Sequence, residues 1–164
     1  MKKLTLVLMV LGFSLLLLSA NPEEYTDVKD LFAKQATLMQ NYITACADVK
    51  EAKDVVAIFD NLKEGFKTLK PAIKAVVDKY GDLEKLFDQE TPEVLKPDLD
   101  NLKALTQKMM TESMKLAQYT QDPEVVKAQQ DLTRVMQEIN DIVKAKSEKK
   151  KEEKTEEKKE EKTE

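Results

Sequence analysis

The sequence is poor in the residues on which most catalytic and cofactor sites depend. Among its 164 residues there is no histidine and no tryptophan, a single cysteine and only three glycines. Without histidine the chain cannot build a Ser-His-Asp triad, an imidazole-based zinc site or a proximal-histidine haem site. Three scattered glycines cannot form a phosphate-binding loop, and one cysteine cannot form an internal disulfide. We therefore expect a protein that is not an enzyme and has no cofactor.

The first 20 residues have the order of a secretory signal peptide. Two lysines follow the initiating methionine, residues 4–18 form a run rich in Leu and Val, and small residues end the segment at Ala20. Cleavage after Ala20 would leave Asn21 as the first residue. An uncleaved N-terminal anchor is the alternative, because Leu18 is large for its place before the cleavage site, although the run is shorter than the roughly 20 residues that span a bilayer. We expect a protein exported to the periplasm or the extracellular space.

The last segment, residues 148–164, consists almost entirely of Glu and Lys. Like charges four residues apart repel one another in a helix, and the segment holds nine such pairs against one pair of opposite charge. It has no apolar side chain to bury. We predict a disordered tail, either a solvated spacer or a segment that binds charged surfaces.

Residues 21–147 form the predicted domain, which is long enough to bury its own core. It contains 18 Lys and Arg against 23 Asp and Glu, a net charge of −5. Nucleic acids and anionic membranes select clustered positive charge, so we expect neither as a partner, and no membrane contact beyond the signal segment.

Helix-start signals recur at three places in this domain. The tripeptides at 21–23, 91–93 and 122–124 each have a side-chain oxygen acceptor, then proline, then glutamate. That order is typical of a helix N-terminus, where proline needs no N–H partner and a carboxylate faces the positive helix end. Alternation typical of strands is nearly absent.

Apolar residues recur at three- and four-residue spacing in four segments, which predicts four amphipathic helices. Their stripes consist of Val28, Phe32, Met39, Tyr42, Cys46 and Val49; of Phe59, Leu62, Phe66, Leu69, Ile73, Val76 and Tyr80; of Leu99, Leu102, Leu105, Met109 and Leu116; and of Val125, Leu132, Met136, Ile139 and Val143. The second stripe keeps its phase through Pro71, so we predict one helix, kinked near Pro71 and ending at Gly81.

The predicted turn between the first two helices, at residues 48–53, has neither Gly nor Pro. Without that turn, residues 22–80 would form one long helix and the protein a coiled-coil dimer. A shift of 70 residues, however, superposes the apolar positions of the two halves, for example Met39 on Met109 and Cys46 on Leu116. The sequence therefore predicts an all-α, up-down-up-down four-helix bundle made of two αα-hairpins.

The arrangement resembles the exported four-helix bundles of the cytochrome b562 type. The resemblance covers about residues 40–145 and depends on the helix lengths, the Leu69-Lys70-Pro71 step and the proline-rich crossover before Asp98. That family holds haem between a methionine on its first helix and a histidine on its last. Met39, on the first predicted helix, could correspond to that methionine, but the chain has no histidine. The resemblance therefore implies the four-helix bundle and not the haem.

Sulfur-containing residues form the candidate ligand site. Met109, Met110 and Met114 lie together on the third helix, and the 70-residue shift brings Met39 near them. With the thiol of Cys46 they could hold copper(I), which prefers soft ligands. The alternative is that methionine fills gaps in a helical core and that Cys46, on the apolar stripe, is a buried thiol; an intermolecular disulfide is a further possibility for Cys46.

Polar residues raise two further points. Gln35 and Ser113 occupy positions at which the spacing of the stripes predicts apolar residues. They either set the register between helices or lie at a loosely packed end of the bundle. We expect the many carboxylates on solvated helix faces.

The function predicted from these patterns is that of an exported, non-enzymatic helical bundle, with a binding, scaffolding or spacer role in the bacterial cell envelope. Its partner is an unknown protein or a second copy of the chain. The alternative is a periplasmic carrier that holds a soft metal, haem or an apolar molecule in the bundle core.

Overall fold

The computed structural model describes residues 25–80 and 92–160, with side chains up to residue 144. The signal peptide, the helix start predicted at 21–23, Gly81 and residues 161–164 lie outside the described residues. None of the helices in the described ranges is both long and apolar enough to cross a membrane.

The structure is built from four α-helices. Helix α1 spans Thr26–Ala47, α2 spans Ala52–Tyr80, α3 spans Lys96–Ser113 and α4 spans Pro123–Glu160. Short 3-10 helices at Glu93–Leu95 and Met114–Tyr119 precede and follow α3. No strand occurs in the described part of the chain. The predicted all-α four-helix fold is confirmed.

The predicted apolar stripes form one hydrophobic core. All of their members are buried except Val49, Tyr80 and Val143, which are half-buried. A fully buried aliphatic or aromatic side chain contributes about 1.5–3 kcal/mol relative to an exposed one. Side-chain burial along these stripes is therefore the main force that holds the four helices together.

The turn between α1 and α2 is real and depends on Asp54. Its Oδ2 atom accepts hydrogen bonds from the backbone N–H groups of Lys50, at 3.0 Å, and Glu51, at 3.1 Å. These two bonds lower the pKa of Asp54. A carboxylate in the first helical turn that reaches back in this way is half of a capping box. The alternative of one long helix over residues 22–80 is therefore wrong.

Helix α2 continues through Pro71, as the uninterrupted stripe predicts. Proline has no N–H, so the carbonyl of Lys67 lacks its usual helical partner at this point. The buried residues on either side, Leu69 and Ile73, stay on the core face. Their burial outweighs the cost of the missing hydrogen bond.

Helix α4 begins at Pro123, as predicted, and a 3-10 helix follows the helix-start signal at 91–93 before α3 begins. Asp122 caps α4, because its Oδ1 accepts the N–H groups of Glu124 and Val125 at 2.9 and 3.3 Å. Pro92 precedes the 3-10 helix at Glu93–Leu95, and α3 follows with Pro97 in its first turn. An α-helix starting at Pro92 would place Pro97 in its interior, where an N–H is required.

The helices run in alternating directions, as predicted, but their neighbours are unexpected. Helix α1 packs against α2 and α3, and α2 packs against α4, whereas α3 and α4 are not a closely packed pair in the described structure. The linking 3-10 helix has six residues and at about 2 Å per residue extends roughly 12 Å, more than the 8–10 Å between packed helices. Neighbouring helices therefore follow one another in the order α3-α1-α2-α4, and of the two predicted hairpins only α1–α2 consists of closely packed helices.

Helix α4 extends to Glu160, into the segment predicted as a disordered tail. No finding tests the order or disorder of residues 148–164, so the disordered tail stays a prediction.

Candidate functional site

The five candidate sulfur ligands do not share one environment. Met39, Cys46 and Met109 are 2%, 1% and 2% exposed, whereas Met110 and Met114 are 50% and 69% exposed. The first three lie on the core stripes of α1 and α3, whereas Met110 on α3 and Met114 on the 3-10 helix that follows it are exposed to solvent. The structure thus separates the predicted cluster into three core residues and two surface residues.

A chain of hydrogen bonds links α1 to α3 beside the buried sulfur atoms. Ser113 donates to the carbonyl oxygen of Met109 at 2.6 Å, so its single hydroxyl hydrogen is used. Tyr42 must therefore donate to the Ser113 Oγ, at 2.8 Å. Ser113, one of the two polar residues on the stripes, sets the register of α1 against α3. Gln35, the other, is half-buried.

Burial keeps the ionisable groups of this cluster neutral. Burial raises the pKa of Tyr42, although the hydrogen bond to Ser113 opposes the shift. Burial likewise raises the pKa of Cys46, against a smaller lowering by its contact with the Tyr42 hydroxyl. A thiolate is the form that attacks substrates and binds metals. The cluster is therefore suited to holding two helices in register rather than to nucleophilic chemistry.

The hydrogen bond between Tyr42 and Ser113 predicts that removing either hydroxyl lowers the free energy of unfolding by a different amount. Ser113→Ala should lower the free energy of unfolding by about 2 kcal/mol, because the buried Tyr42 hydroxyl loses its acceptor. Tyr42→Phe should cost about 1 kcal/mol or less, since Ser113 keeps its bond to Met109. Urea denaturation of both variants and of the double variant measures the difference. A larger loss for Tyr42→Phe would contradict this account of the cluster.

A second polar cluster joins the start of α1 to the end of α2. The Tyr25 and Tyr80 rings stack with their centroids 5.5 Å apart, and the Lys79 Nζ lies 4.8 Å from the centroid of the Tyr80 ring. Asp27 accepts hydrogen bonds from Lys79 at 2.9 Å and from the Tyr80 hydroxyl at 2.8 Å. Burial raises the pKa of Asp27, but the hydrogen bonds from Lys79, Tyr80 and the Val28 N–H together lower it. The cluster closes one end of the α1–α2 hairpin.

The lowered pKa of Asp27 predicts a pH-dependent contribution to stability. The contribution is complete above the unfolded pKa of about 3.9 and is lost as the pH falls through the lower folded value. Because Asp27 is partly exposed, we expect only about 0.5 kcal/mol. Urea midpoints between pH 6 and pH 2.5 should fall less for Asp27→Asn than for the unmodified protein. Asp30→Asn, on the same helix, is the control, and identical profiles for all three proteins would refute the role of Asp27.

A groove runs along the outer side of the α1–α2 hairpin. It has a volume of about 460 Å³ and is lined by Leu38, Asn41, Tyr42, Ala45, Ile58, Asn61, Leu62 and Gly65. None of these residues is charged. The groove is absent from the sequence prediction, although one signal was available: residues 35–47 contain no charged residue, in a chain that is 35% charged.

The charged residues of the helices are mostly paired with one another at the surface. Lys67 pairs with Glu64 at 2.7 Å on α2, and Lys70 reaches Glu138 on α4 at 2.6 Å. Lys70 lowers the pKa of Glu138. Within the described ranges, no three His, Cys, Asp or Glu residues are grouped closely enough to hold a metal ion. Every carboxylate whose side chain is described is exposed or half-buried, as expected for solvated helix faces.

Comparison with protein families, with curated proteins and with solved structures finds no match to this chain. These comparisons do not bear on the resemblance to bundles of the cytochrome b562 type. The candidate sites are accordingly the Tyr42–Ser113 cluster, the Asp27 cluster and the α1–α2 groove, each defined by its own geometry.

Proposed function

We propose that the protein is an exported, non-enzymatic helical bundle with a binding or scaffolding role in the bacterial cell envelope. The proposal of export depends on the sequence of residues 1–20, with its cationic start, apolar run and small residues before Asn21. The proposal of a non-enzymatic role depends on how the described residues use their reactive groups.

The observation that carries the proposal is the use of buried reactive groups in helix packing. The Tyr42 hydroxyl is bonded to Ser113, and the Cys46 thiol is 1% exposed with a raised pKa. An active site instead needs such groups open to substrate, with a pKa near the working pH. The uncharged α1–α2 groove is an accessible concave surface in the described part of the chain, and it is suited to contact rather than to proton transfer.

A ligand carrier is the alternative, and one observation favours it. Met39, Cys46 and Met109 are all buried in the hydrophobic core, and soft metals prefer to bind sulfur atoms. Any such ligand would have to displace packed side chains, because these residues are at most 2% exposed. If a ligand is found, Met39→Leu with Met109→Leu should abolish its binding, and retention would refute this location.

Cell fractionation with N-terminal sequencing tests the proposal of export. The full chain, expressed in a bacterial host, should appear in the periplasm or the medium with Asn21 as its first residue. A matched variant with Val10→Arg and Leu15→Arg, which interrupts the apolar run, should stay in the cytoplasm at full length. Cytoplasmic retention of the unmodified chain would contradict the proposal.

A further inference from the structure

We propose that the outer face of the α1–α2 hairpin is a self-association surface on which a second copy of this chain packs. We name it the amide face and define it by Leu38, Asn41 and Ala45 on α1 and by Ile58, Asn61 and Gly65 on α2. The inference deepens the proposed function and rests on it, because it names the partner of a binding module.

The amide face is a region without charge on a highly charged protein. Residues 35–47 contain no charged side chain, whereas 35% of the whole chain is charged. On α2, the neighbouring Asp60 and Glu64 are neutralised by Lys63 and Lys67, at 2.5 and 2.7 Å. Depletion of charge distinguishes the centres of protein interfaces from the rest of a surface. The amide face therefore has the composition of a contact surface.

Small residues give the face its concave shape. Gly65 lies in the interior of α2, where glycine costs about 1 kcal/mol relative to alanine. The Cδ1 atom of Leu38 lies only 2.3 Å from the place that a Cβ on residue 65 would occupy. Gly65 thus lets Leu38 lie close to α2. The resulting groove, about 460 Å³ in volume, is open to a side chain from another helix.

The chemistry of the face is complementary to itself. Asn41 and Asn61 are both exposed, and each carboxamide can donate and accept hydrogen bonds. Two copies related by a two-fold axis would pair amide with amide and apolar groove with apolar side chain. A partner with a charged surface would lose the hydration of its charges on the amide face and would find no opposite charge there. A second amide face avoids this cost, which favours the second copy as the occupant.

The area of the face predicts a weak dimer. The uncharged stretch of α1, residues 35–47, is about 20 Å long at 1.5 Å per residue, and two packed helices are roughly 20 Å wide. The product, about 400 Å² per copy, is half of the roughly 800 Å² that a standard interface buries on each partner. We therefore expect a dissociation constant on the order of 0.1 mM or weaker, as for transient complexes.

Sedimentation velocity of the exported protein from about 10 μM to 2 mM tests the inference, with reductant present so that Cys46 cannot crosslink. The average mass should rise from monomer toward dimer and should change little with salt. Asn61→Asp and Asn61→Lys should each weaken association at least tenfold through like-charge repulsion. An equimolar mixture of the two variants should restore association. Asn101→Asp, an exposed change of the same kind on α3, is the matched control and should have no effect.

Two results would overturn the inference. One is a monomer at every concentration. The other is a dimer that Asn61→Asp leaves intact but that Met110→Lys with Met114→Lys dissociates, because association would then use the exposed methionines at the end of α3 and the start of the following 3-10 helix. Circular dichroism melts confirm that each variant is folded. A stable, exported monomer would refute the inference and leave the proposed function intact. A dimer that stays in the cytoplasm would support self-association but contradict the proposal of export.

Discussion

Replacing Leu132 by alanine is expected to lower the free energy of unfolding by about 3 kcal/mol. Leu132 is 0% exposed and lies on the core face of α4. The loss combines the transfer free energy of the removed carbon atoms with the cost of the cavity left behind, since packed neighbours collapse only partly. Urea denaturation followed by circular dichroism measures the change directly.

A matched truncation at the surface provides the control for Leu132. Met114 is 69% exposed on the 3-10 helix that follows α3. Met114→Ala should therefore change the free energy of unfolding by less than about 0.5 kcal/mol. Equal losses for the two variants would mean that Leu132 does not lie in a tightly packed interior.

Replacing Pro71 by alanine is expected to raise the free energy of unfolding by about 2 kcal/mol. Alanine supplies the N–H that the Lys67 carbonyl lacks and removes the clash of the proline ring, together worth about 3 kcal/mol in a helix interior. The more flexible unfolded chain cancels up to about 1 kcal/mol of this gain. Pro71 is exposed, so the substitution leaves the core unchanged.

Pro97→Ala is the control that separates position from residue type. Pro97 is also exposed but lies in the first turn of α3, where the backbone N–H has no helical partner. We expect a change of less than about 0.5 kcal/mol, toward lower stability. Equal stabilisation by both substitutions would show that the missing hydrogen bond in α2 is not the cause.

The sequence predicts the helices well because helical burial has a period close to 3.6 residues. Once a stripe such as Leu99, Leu102, Leu105 and Met109 is identified, its buried face follows from geometry alone. The start of α4 was equally predictable, since Asp122 and Pro123 act within one turn. Pro97 likewise limits how early α3 can begin, because proline is best tolerated in the first turn of a helix.

Contacts between helices were harder to predict because they depend on register and on neighbour order. Tyr42 and Ser113 are 71 residues apart, and Lys70 and Glu138 are 68 apart. The 70-residue shift in the sequence therefore marks helices that lie side by side and run parallel. A single stripe does not show which other stripe it faces, so the sequence pointed to Ser113 as unusual without identifying its partner.

The α1–α2 groove could not be derived from periodicity. Its shape depends on the approach of Leu38 to Gly65 across two helices, which only the packed structure shows. The uncharged stretch at residues 35–47 marks the region but does not predict a concave surface. The turn between α1 and α2 contains neither Gly nor Pro. The residue that stabilises it, Asp54, lies inside the following helix, so the turn residues themselves give no signal.

Native mass spectrometry of the protein exported by a bacterial host, purified without reduction, tests the central claim most directly. The claim is that an exported helical bundle acts through its surface and uses its buried sulfur and hydroxyl groups only for packing. We expect the mass of a chain that begins at Asn21, with no bound metal, haem or lipid. A stoichiometric excess mass that matches copper, haem or a lipid would contradict the claim and make the protein a ligand carrier.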